Sequence, residues 1–256
     1  ELLTDRALKA RYALLYSQAL DKNYIDLKSD SIIAPAVEYY AKHGRAKDRA
    51  YTNYYLGCIR SNAGDLDGAV RAMIAAESPA LEMEDTYLLA RIYSCLGNMY
   101  KDQHSFLDAD TMYMHAEKYF RAENDMANVG YVLVNKASVS SFLDRSLQSV
   151  SEFKEALAIF DSLGDVTQVS LVTRGLAAEI RKHNVVSIDS LKHLLLGSYS
   201  CHVHNSMPKE DYSLWAWIYM QENNLDSARY FGERALIVEN EVPHKKMRYV
   251  SAIVPD

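Results

Sequence analysis

The chain has 256 residues, of which 49% are hydrophobic and 24% are charged, and these proportions exclude a wholly disordered protein. Its formal net charge is −6, whereas proteins that bind nucleic acid without sequence preference are usually basic, so we expect no direct contact with nucleic acid. Only 10 glycines and 5 prolines are present, too few for the many turns of an all-β fold, and the composition therefore predicts an all-α protein.

A self-similar pattern runs along the chain and is clearest between residues 90 and 125. It has the form aromatic-x2-Leu-Gly-x2-Tyr, followed by Ala-x3-aromatic-x2-Ala. The residues in these positions are Tyr93, Leu96, Gly97, Tyr100, Ala109, Tyr113 and Ala116. The pattern resembles the tetratricopeptide (TPR) repeat, a pair of antiparallel helices A and B. In that repeat small residues stand where the helices cross, and large residues fill the space between them.

The other copies keep this spacing along the chain. One small residue of helix B recurs at intervals of 40 residues, at Ala36, Ala76, Ala116 and Ala156. A fifth copy is degenerate and a sixth returns to the pattern. The repeats span residues 10–45, 50–85, 90–125, 130–165, 170–200 and 209–240, and residues 243–256 have the pattern of the start of a further helix. We therefore predict a single array over residues 1–256, an α-solenoid of about six helix pairs in a right-handed TPR superhelix.

Turn signals refine this prediction. The period exceeds the roughly 34 residues of the common TPR, so we expect helix B to run about one turn longer and to end at Gly or Asn. Residues 62–65 and 222–225 are rich in Asn, Gly and Asp, which predicts turns between helices A and B. Pro35 lies inside the second predicted helix, and it indicates either a kink or a later start near Ser31.

The TPR resemblance also implies a binding surface. In that family the A helices line the concave face of the superhelix, so the resemblance implies a groove lined by Tyr51, Tyr54, Arg91, Asn98, Lys101, Tyr131, Asn135, Arg174 and Trp217. Amides can bond a peptide backbone, cations can bind a carboxylate, and rings can cover apolar side chains. Asn98 and Asn135 match two slots of the clamp with which some TPRs bind chaperone C-termini. Its cationic slots instead contain Ser94, Leu171 and Gly175, and we therefore predict that the clamp is absent.

The sequence contains little that indicates a disulfide, a metal site or a catalytic site. Cys58 and Cys95 lie on neighbouring A helices, whose usual axis spacing of about 8–10 Å favours two buried thiols over a disulfide. The string Cys-His-Val-His at residues 201–204 looks most like a metal site, but no second pair of ligands has suitable spacing, so we predict no metal. Because no phosphate-binding loop and no hydrolase motif is present, we predict a non-catalytic protein without cofactors.

The N-terminal repeat carries a closer resemblance. Residues 10–24 read ARYALLYSQALDKNY and lead into DLKSDS at 26–31, AVEYY at 36–40 and KHG at 42–44. This stretch is similar to the TPR sensor regions of Bacteroidetes membrane-associated regulatory proteins. The resemblance implies an extracytoplasmic, periplasmic location with a membrane anchor. Because the chain lacks an initiator Met, we expect a signal peptide or lipid anchor before Glu1, and we expect the natural protein to continue beyond Asp256.

Together these observations favour a non-catalytic module of a bacterial signalling or regulatory protein that binds a peptide or protein in its concave groove. Two alternatives stay open. The first is a structural scaffold that self-associates, as a homo-oligomer, through its terminal repeats. The second is a cytoplasmic regulator that responds to a signalling peptide. No apolar run approaches the roughly 20 residues of a membrane-spanning helix, so we expect no transmembrane segment in this chain.

Overall fold

The computed structural model describes residues 5–183, 187–200 and 209–241, and these residues form α-helices and one short 3-10 helix but no strand. The α-helices are α1 (Arg6–Lys22), α2 (Ala34–His43), α3 (Ala46–Ala63), α4 (Leu66–Glu82), α5 (Thr86–Asp102), α6 (Phe106–Ala122), α7 (Met126–Phe142), α8 (Ser146–Ser162), α9 (Val166–His183), α10 (Ile188–Ser200), α11 (Tyr212–Gln221) and α12 (Leu225–Glu241). The predicted all-α fold is confirmed. The chain divides into two compact units, Glu1–Leu143 and Asp144–Asp256.

The first unit contains α1 to α7. Helices α1 and α2, α3 and α4, and α5 and α6 pack as successive pairs, and α7 packs against α6. Short connections make the helices of a pair antiparallel, with the first as helix A and the second as helix B. The residues that define the repeat are its core: Ala36, Ala76 and Ala116 have no exposed surface, and Tyr113 fills the space beside Gly97. The periodic small residues thus let the helices approach closely.

Local signals set the helix ends in this unit. Asp65, Asp85 and Asp125 precede α4, α5 and α7, and each accepts a hydrogen bond from a backbone N–H in the first turn. Gly64 ends α3 with φ 84°, in the left-handed region that glycine enters without steric cost. After α6 the left-handed residue is Asn124, as predicted, whereas after α4 it is Glu84. Pro35 lies in the first turn of α2, so the helix starts late and is not kinked.

The second unit contains α8 to α12. Helix α9 packs against both α8 and α10, and α11 packs against α12. The rings of Trp215, Tyr219 and Phe231 contact one another between α11 and α12, where the sixth repeat was predicted. The predicted turn at residues 222–225 joins these two helices.

Two predictions fall on other parts of the chain. The Cys-His-Val-His string at 201–204 and the further helix at 243–256 lie outside the described residues. The single array over residues 1–256 stays a prediction. No helix in the described ranges is both long enough and apolar enough to cross a membrane.

Candidate ligand-binding face

The predicted groove residues divide between the two units. Seven lie in the first unit on α3, α5 and α7, at Tyr51, Tyr54, Arg91, Asn98, Lys101, Tyr131 and Asn135. Helix α5 contacts both α3 and α7, so the three A helices are neighbours. We call their shared surface the A-helix face. Arg174 on α9 and Trp217 on α11 belong to the second unit.

Arg91 is held by partners within the chain. Its Nη2 donates a hydrogen bond to Oδ2 of Asp21 on α1 at 3.1 Å, and its guanidinium lies 4.7 Å from the ring centre of Tyr54 on α3. Burial by itself would lower the pKa of Arg91, but the neighbouring Tyr54 and the carboxylate of Asp21 raise it, so the group stays cationic. Tyr54 is only 2% exposed. Arg91 and Tyr54 therefore connect α1, α3 and α5 and are poorly available to a ligand.

Two cysteines lie beside this cluster. Cys58 on α3 and Cys95 on α5 are both free, half-buried thiols, and they form a hydrogen bond with each other. Cys58 donates this bond, which together with burial raises the pKa of its thiol. The same bond lowers the pKa of Cys95. The pair helps to fill the region between the two A helices.

Tyr51 connects α3 to the start of α5. Its hydroxyl donates a hydrogen bond to Oδ2 of Asp85 at 2.9 Å, while Oδ1 of Asp85 accepts from the backbone N–H of Leu88, also at 2.9 Å. Burial and the bond to Asp85 raise the pKa of Tyr51 to about 12. Half-buried Tyr51 thus has a structural partner, although part of its surface still faces solvent.

Lys101 differs from Arg91, because its hydrogen-bond partner is a neutral amide and not a carboxylate. Its half-buried Nζ donates a hydrogen bond to Oδ1 of Asn135 on α7 at 2.7 Å. Burial lowers the pKa of Lys101, and only the nearby charge of Asp102 opposes this effect. Among the described residues, no carboxylate forms an ion pair with this ammonium group. Lys101 therefore carries a partly desolvated positive charge that has no direct ion-pair partner among the described residues.

Asn98 completes this site. It lies one turn before Lys101 on α5, so the two side chains are neighbours. Oδ1 of Asn98 accepts a hydrogen bond from the Tyr113 hydroxyl at 2.6 Å, which fixes the amide, and the residue is exposed. The amide nitrogen of Asn135 donates to the carbonyl of Tyr131 at 3.2 Å. We call Asn98, Lys101 and Asn135 the Lys101 subsite. It presents one cation and oriented amides, which suits a carboxylate or a peptide carbonyl.

Apolar surface lies on the same helix as part of this subsite. Tyr131 and Phe142 on α7 are 42% and 59% exposed, and the ring of Phe142 stacks on Phe106 with 4.6 Å between centroids. Such rings can cover the apolar side chains of a bound segment. The A-helix face therefore combines a polar subsite with exposed aromatic surface.

A small cavity between α1 and α3 is not a ligand site. It has a volume of about 20 Å³, which is room for about one water molecule. The oxygen atoms of Ser17 and Tyr55 are buried in this region and have no hydrogen-bond partner.

In the second unit the two predicted residues are separate. Nε of Arg174 lies 3.9 Å from Oδ1 of Asp211, whose side chain is almost fully buried. Trp217 is half-buried on α11. Among the described residues, no group of three or more His, Cys, Asp or Glu side chains could hold a metal ion.

Sequence reasoning identified the A-helix residues but not their partners. Asp21, Asp85 and Tyr113 each fix one of the predicted groove residues. Asp85 had a recognisable signal, because an Asp that precedes an amphipathic segment predicts a helix cap. The contact between Asp21 and Arg91 spans 70 residues and had no local signal.

Comparison with known proteins agrees with this description of the fold. No family model and no curated protein matches the sequence. The structure is similar to the crystal structure of BtubC (BKLC) from P. vanneervenii, with a TM-score of 0.65 and 17% identity over 96% of this chain and 98% of that chain. It is also similar to PilF of Pseudomonas aeruginosa, with a TM-score of 0.61 and 11% identity over 93% of this chain and 99% of that chain.

These similarities concern the fold alone, because the identities are low. Together with the successive helix pairs and the buried repeat positions, they define an all-α, TPR-like helical-repeat protein. The closer resemblance to Bacteroidetes regulatory proteins stays a prediction.

Proposed function

We propose that this chain is a non-catalytic interaction module that binds a peptide or protein segment on the A-helix face of its first unit. The observation that carries the proposal is Lys101. A half-buried ammonium group whose hydrogen-bond partner is a neutral amide gains more from an incoming anion than a fully solvated lysine does. A TPR-like fold that contains such a site is suited to recognise a segment of another chain.

The ligand that fits best is an extended segment with a carboxylate, from either an acidic side chain or a C-terminus. Its carboxylate would accept hydrogen bonds from Lys101 and from the exposed amide of Asn98. An apolar side chain of the same segment would cover Tyr131 or Phe142. Arg91, in contrast, already has Asp21 as its counter-ion, so we assign it a supporting role on this face.

The biological setting follows from the N-terminal resemblance. We propose that the module belongs to a bacterial signalling or regulatory protein and lies outside the cytoplasm. A cytoplasmic peptide-responsive regulator is the alternative. Protease treatment of source cells distinguishes the two locations. An extracytoplasmic chain is digested as soon as the outer membrane alone is opened. Protection until the inner membrane is broken would support the cytoplasmic alternative.

The binding proposal is tested by selection from a displayed library of random dodecapeptides with free C-termini. The affinity of enriched peptides is then measured for wild type, Lys101→Ala and Lys118→Ala. Lys118 is the matched control, because it is an exposed lysine on helix B of the same repeat, α6.

We expect Lys101→Ala to weaken binding about tenfold or more, since a charge-assisted hydrogen bond contributes about 1.5–3 kcal/mol. Lys118→Ala should bind like wild type, and enriched peptides should contain Asp, Glu or a required C-terminus. Equal affinity of the two variants, or no enriched peptides at all, would reject the Lys101 subsite as a ligand site.

A further inference from the structure

Helix α1 has an exposed stripe along its whole length. Its members follow one another at alternating intervals of three and four residues, the spacing of a helix–helix seam. They are Asp5, whose side chain caps the helix, and Leu8, Tyr12, Leu15, Ala19 and Lys22, and all are exposed. Leu8, Tyr12 and Leu15 are 50%, 59% and 52% exposed, so the centre of the stripe is apolar. The ring of Tyr16 stacks on Tyr12 with 5.6 Å between centroids and widens this apolar surface.

Two positions of the stripe, those of Tyr12 and Ala19, are buried on the later A helices. The positions 40, 80 and 120 residues after Tyr12 are Thr52, Ile92 and Val132, which are 2%, 0% and 2% exposed. The corresponding positions for Ala19 are Ile59, Met99 and Val139, which are 4%, 3% and 0% exposed. Each of α3, α5 and α7 has a B helix before it, whereas no described helix precedes α1. Around Tyr12 and Ala19 the stripe therefore corresponds to the packing interface between successive repeats.

The opposite side of α1 already has its partners. Ala10, Ala13 and Ser17 are buried where α1 packs on α2 and α3. Among the described residues, the helices that pack on α1 lie on the side opposite the stripe. Another helix can therefore pack on the stripe without any rearrangement of the repeat that contains it.

Two copies of this stripe are complementary to each other when they run in opposite directions. In an antiparallel pair of α1 helices, Asp5 of one copy lies opposite Lys22 of the other, so opposite charges meet at both ends. Leu8 lies opposite Ala19, which places a large side chain against a small one. Tyr12 lies opposite Leu15 at the centre. Each of these pairs occurs twice, as a twofold axis requires.

We propose that two copies of this chain associate through this stripe, as an antiparallel pair of α1 helices. The interface is short, because the 17 residues of α1 extend only about 25 Å. A single helix pair of this length buries less than the roughly 1,200 Å² of a standard interface, so the dimer is weak and depends on concentration. It leaves the A-helix face open, and its failure would not affect the proposed ligand site.

The test is sedimentation velocity of the full chain from about 1 to 200 μM, with circular dichroism to confirm folding. The variants are Tyr12→Glu in the stripe and Leu107→Glu as control, since Leu107 is a similarly exposed residue on α6. We expect wild type and Leu107→Glu to dimerise as concentration rises, and Tyr12→Glu to stay monomeric. A wild type that stays monomeric throughout, or a dimer that Tyr12→Glu leaves intact, overturns the proposal.

The antiparallel arrangement is tested by oxidative cross-linking in a Cys201→Ser background. We expect Leu8→Cys/Ala19→Cys to give covalent dimers, because the two new thiols face each other across the seam. Leu8→Cys alone should give none, since the two copies of residue 8 are about 16 Å apart along the helices. Equal cross-linking of the two variants overturns the antiparallel seam.

Discussion

Gly57 and Gly97 occupy the same slot of successive repeats but meet different neighbours. A Cβ atom on Gly97 would lie 2.5 Å from the ring of Tyr113, which is fully buried. A Cβ atom on Gly57 would lie 2.9 Å from the terminal methyl group of Met73, an unbranched side chain that can move aside. The sequence predicted a small residue at both positions, but only the structure distinguishes how much each tolerates.

We therefore expect Gly97→Ala to lower the free energy of unfolding by about 1–3 kcal/mol, the cost of overpacking a core. Gly57→Ala should cost less, because the flexible side chain of Met73 can move aside whereas the buried ring of Tyr113 cannot. The higher helix propensity of Ala, about 1 kcal/mol, favours both variants alike. Urea denaturation followed by circular dichroism measures both variants. Equal or greater stability of Gly97→Ala would show that the ring of Tyr113 moves freely, contrary to this packing.

Tyr51 gives the stability a dependence on alkaline pH. Its pKa is about 12 in the folded chain and about 10 in the unfolded chain. Between these values the unfolded chain releases a proton that the folded chain keeps. Its contribution to stability is therefore complete below pH 10 and is lost as the pH rises to 12.

We expect Tyr51→Phe to make the loss of stability between pH 10 and 12 shallower than in wild type. Urea midpoints at pH 8, 10 and 11.5 provide the measurement. Other buried tyrosines with raised pKa values, such as Tyr93 and Tyr113, still contribute to the remaining slope. An unchanged slope would mean that Tyr51 titrates alike in both states.

At the scale of the helix, the acidic caps explain why boundaries were easier to predict than contacts. Asp65, Asp85 and Asp125 each accept a hydrogen bond from a backbone N–H three positions away, so a local pattern reveals them. The bond between Lys101 and Asn135 joins α5 to α7, and it depends on how two helices pack. The repeat pattern predicted that these two side chains lie on one face, but only the structure shows that they form a hydrogen bond.

Asp85 has two roles that can be separated by comparison with Asp165, which precedes α9. Both accept a hydrogen bond from a backbone N–H in the first turn of an A helix, but Asp85 also accepts the hydrogen bond from Tyr51. We expect Asp165→Ala to cost about 1 kcal/mol, the usual loss of a cap, and Asp85→Ala to cost about 1 kcal/mol more. Chemical denaturation of both variants tests this difference. Equal losses would show that the Tyr51 bond adds nothing to the cap.

At the scale of the whole molecule, composition and the 40-residue period were sufficient to predict an all-α, TPR-like fold, because each repeat packs mainly on its neighbours. The division into two compact units was not predicted. The period continues across residue 143, since Ala116 and Ala156 keep the same interval on either side of it. A sequence period records which residues are small or large, and it does not record where the chain divides into compact units.

The functional interpretation also belongs to this scale. Of the seven predicted residues in the first unit, Arg91 and Tyr54 are used within the fold, and the Lys101 subsite keeps groups available for a ligand. The sequence alone ranked these residues equally, because it contains no information about which cation has a counter-ion. The central claim is therefore that the A-helix face of the first unit, and not its B-helix side, contacts the partner.

The most direct measurement of this claim is photo-cross-linking in source cells with benzoylphenylalanine in place of Tyr131 or of Met114. Tyr131 lies on the A-helix face, and Met114 lies on helix B of the neighbouring repeat with comparable exposure, 56% against 42%. We expect a discrete adduct from position 131 that Lys101→Ala abolishes, and none from position 114. An adduct from position 114 alone, or one from position 131 that Lys101→Ala leaves unchanged, would contradict the claim.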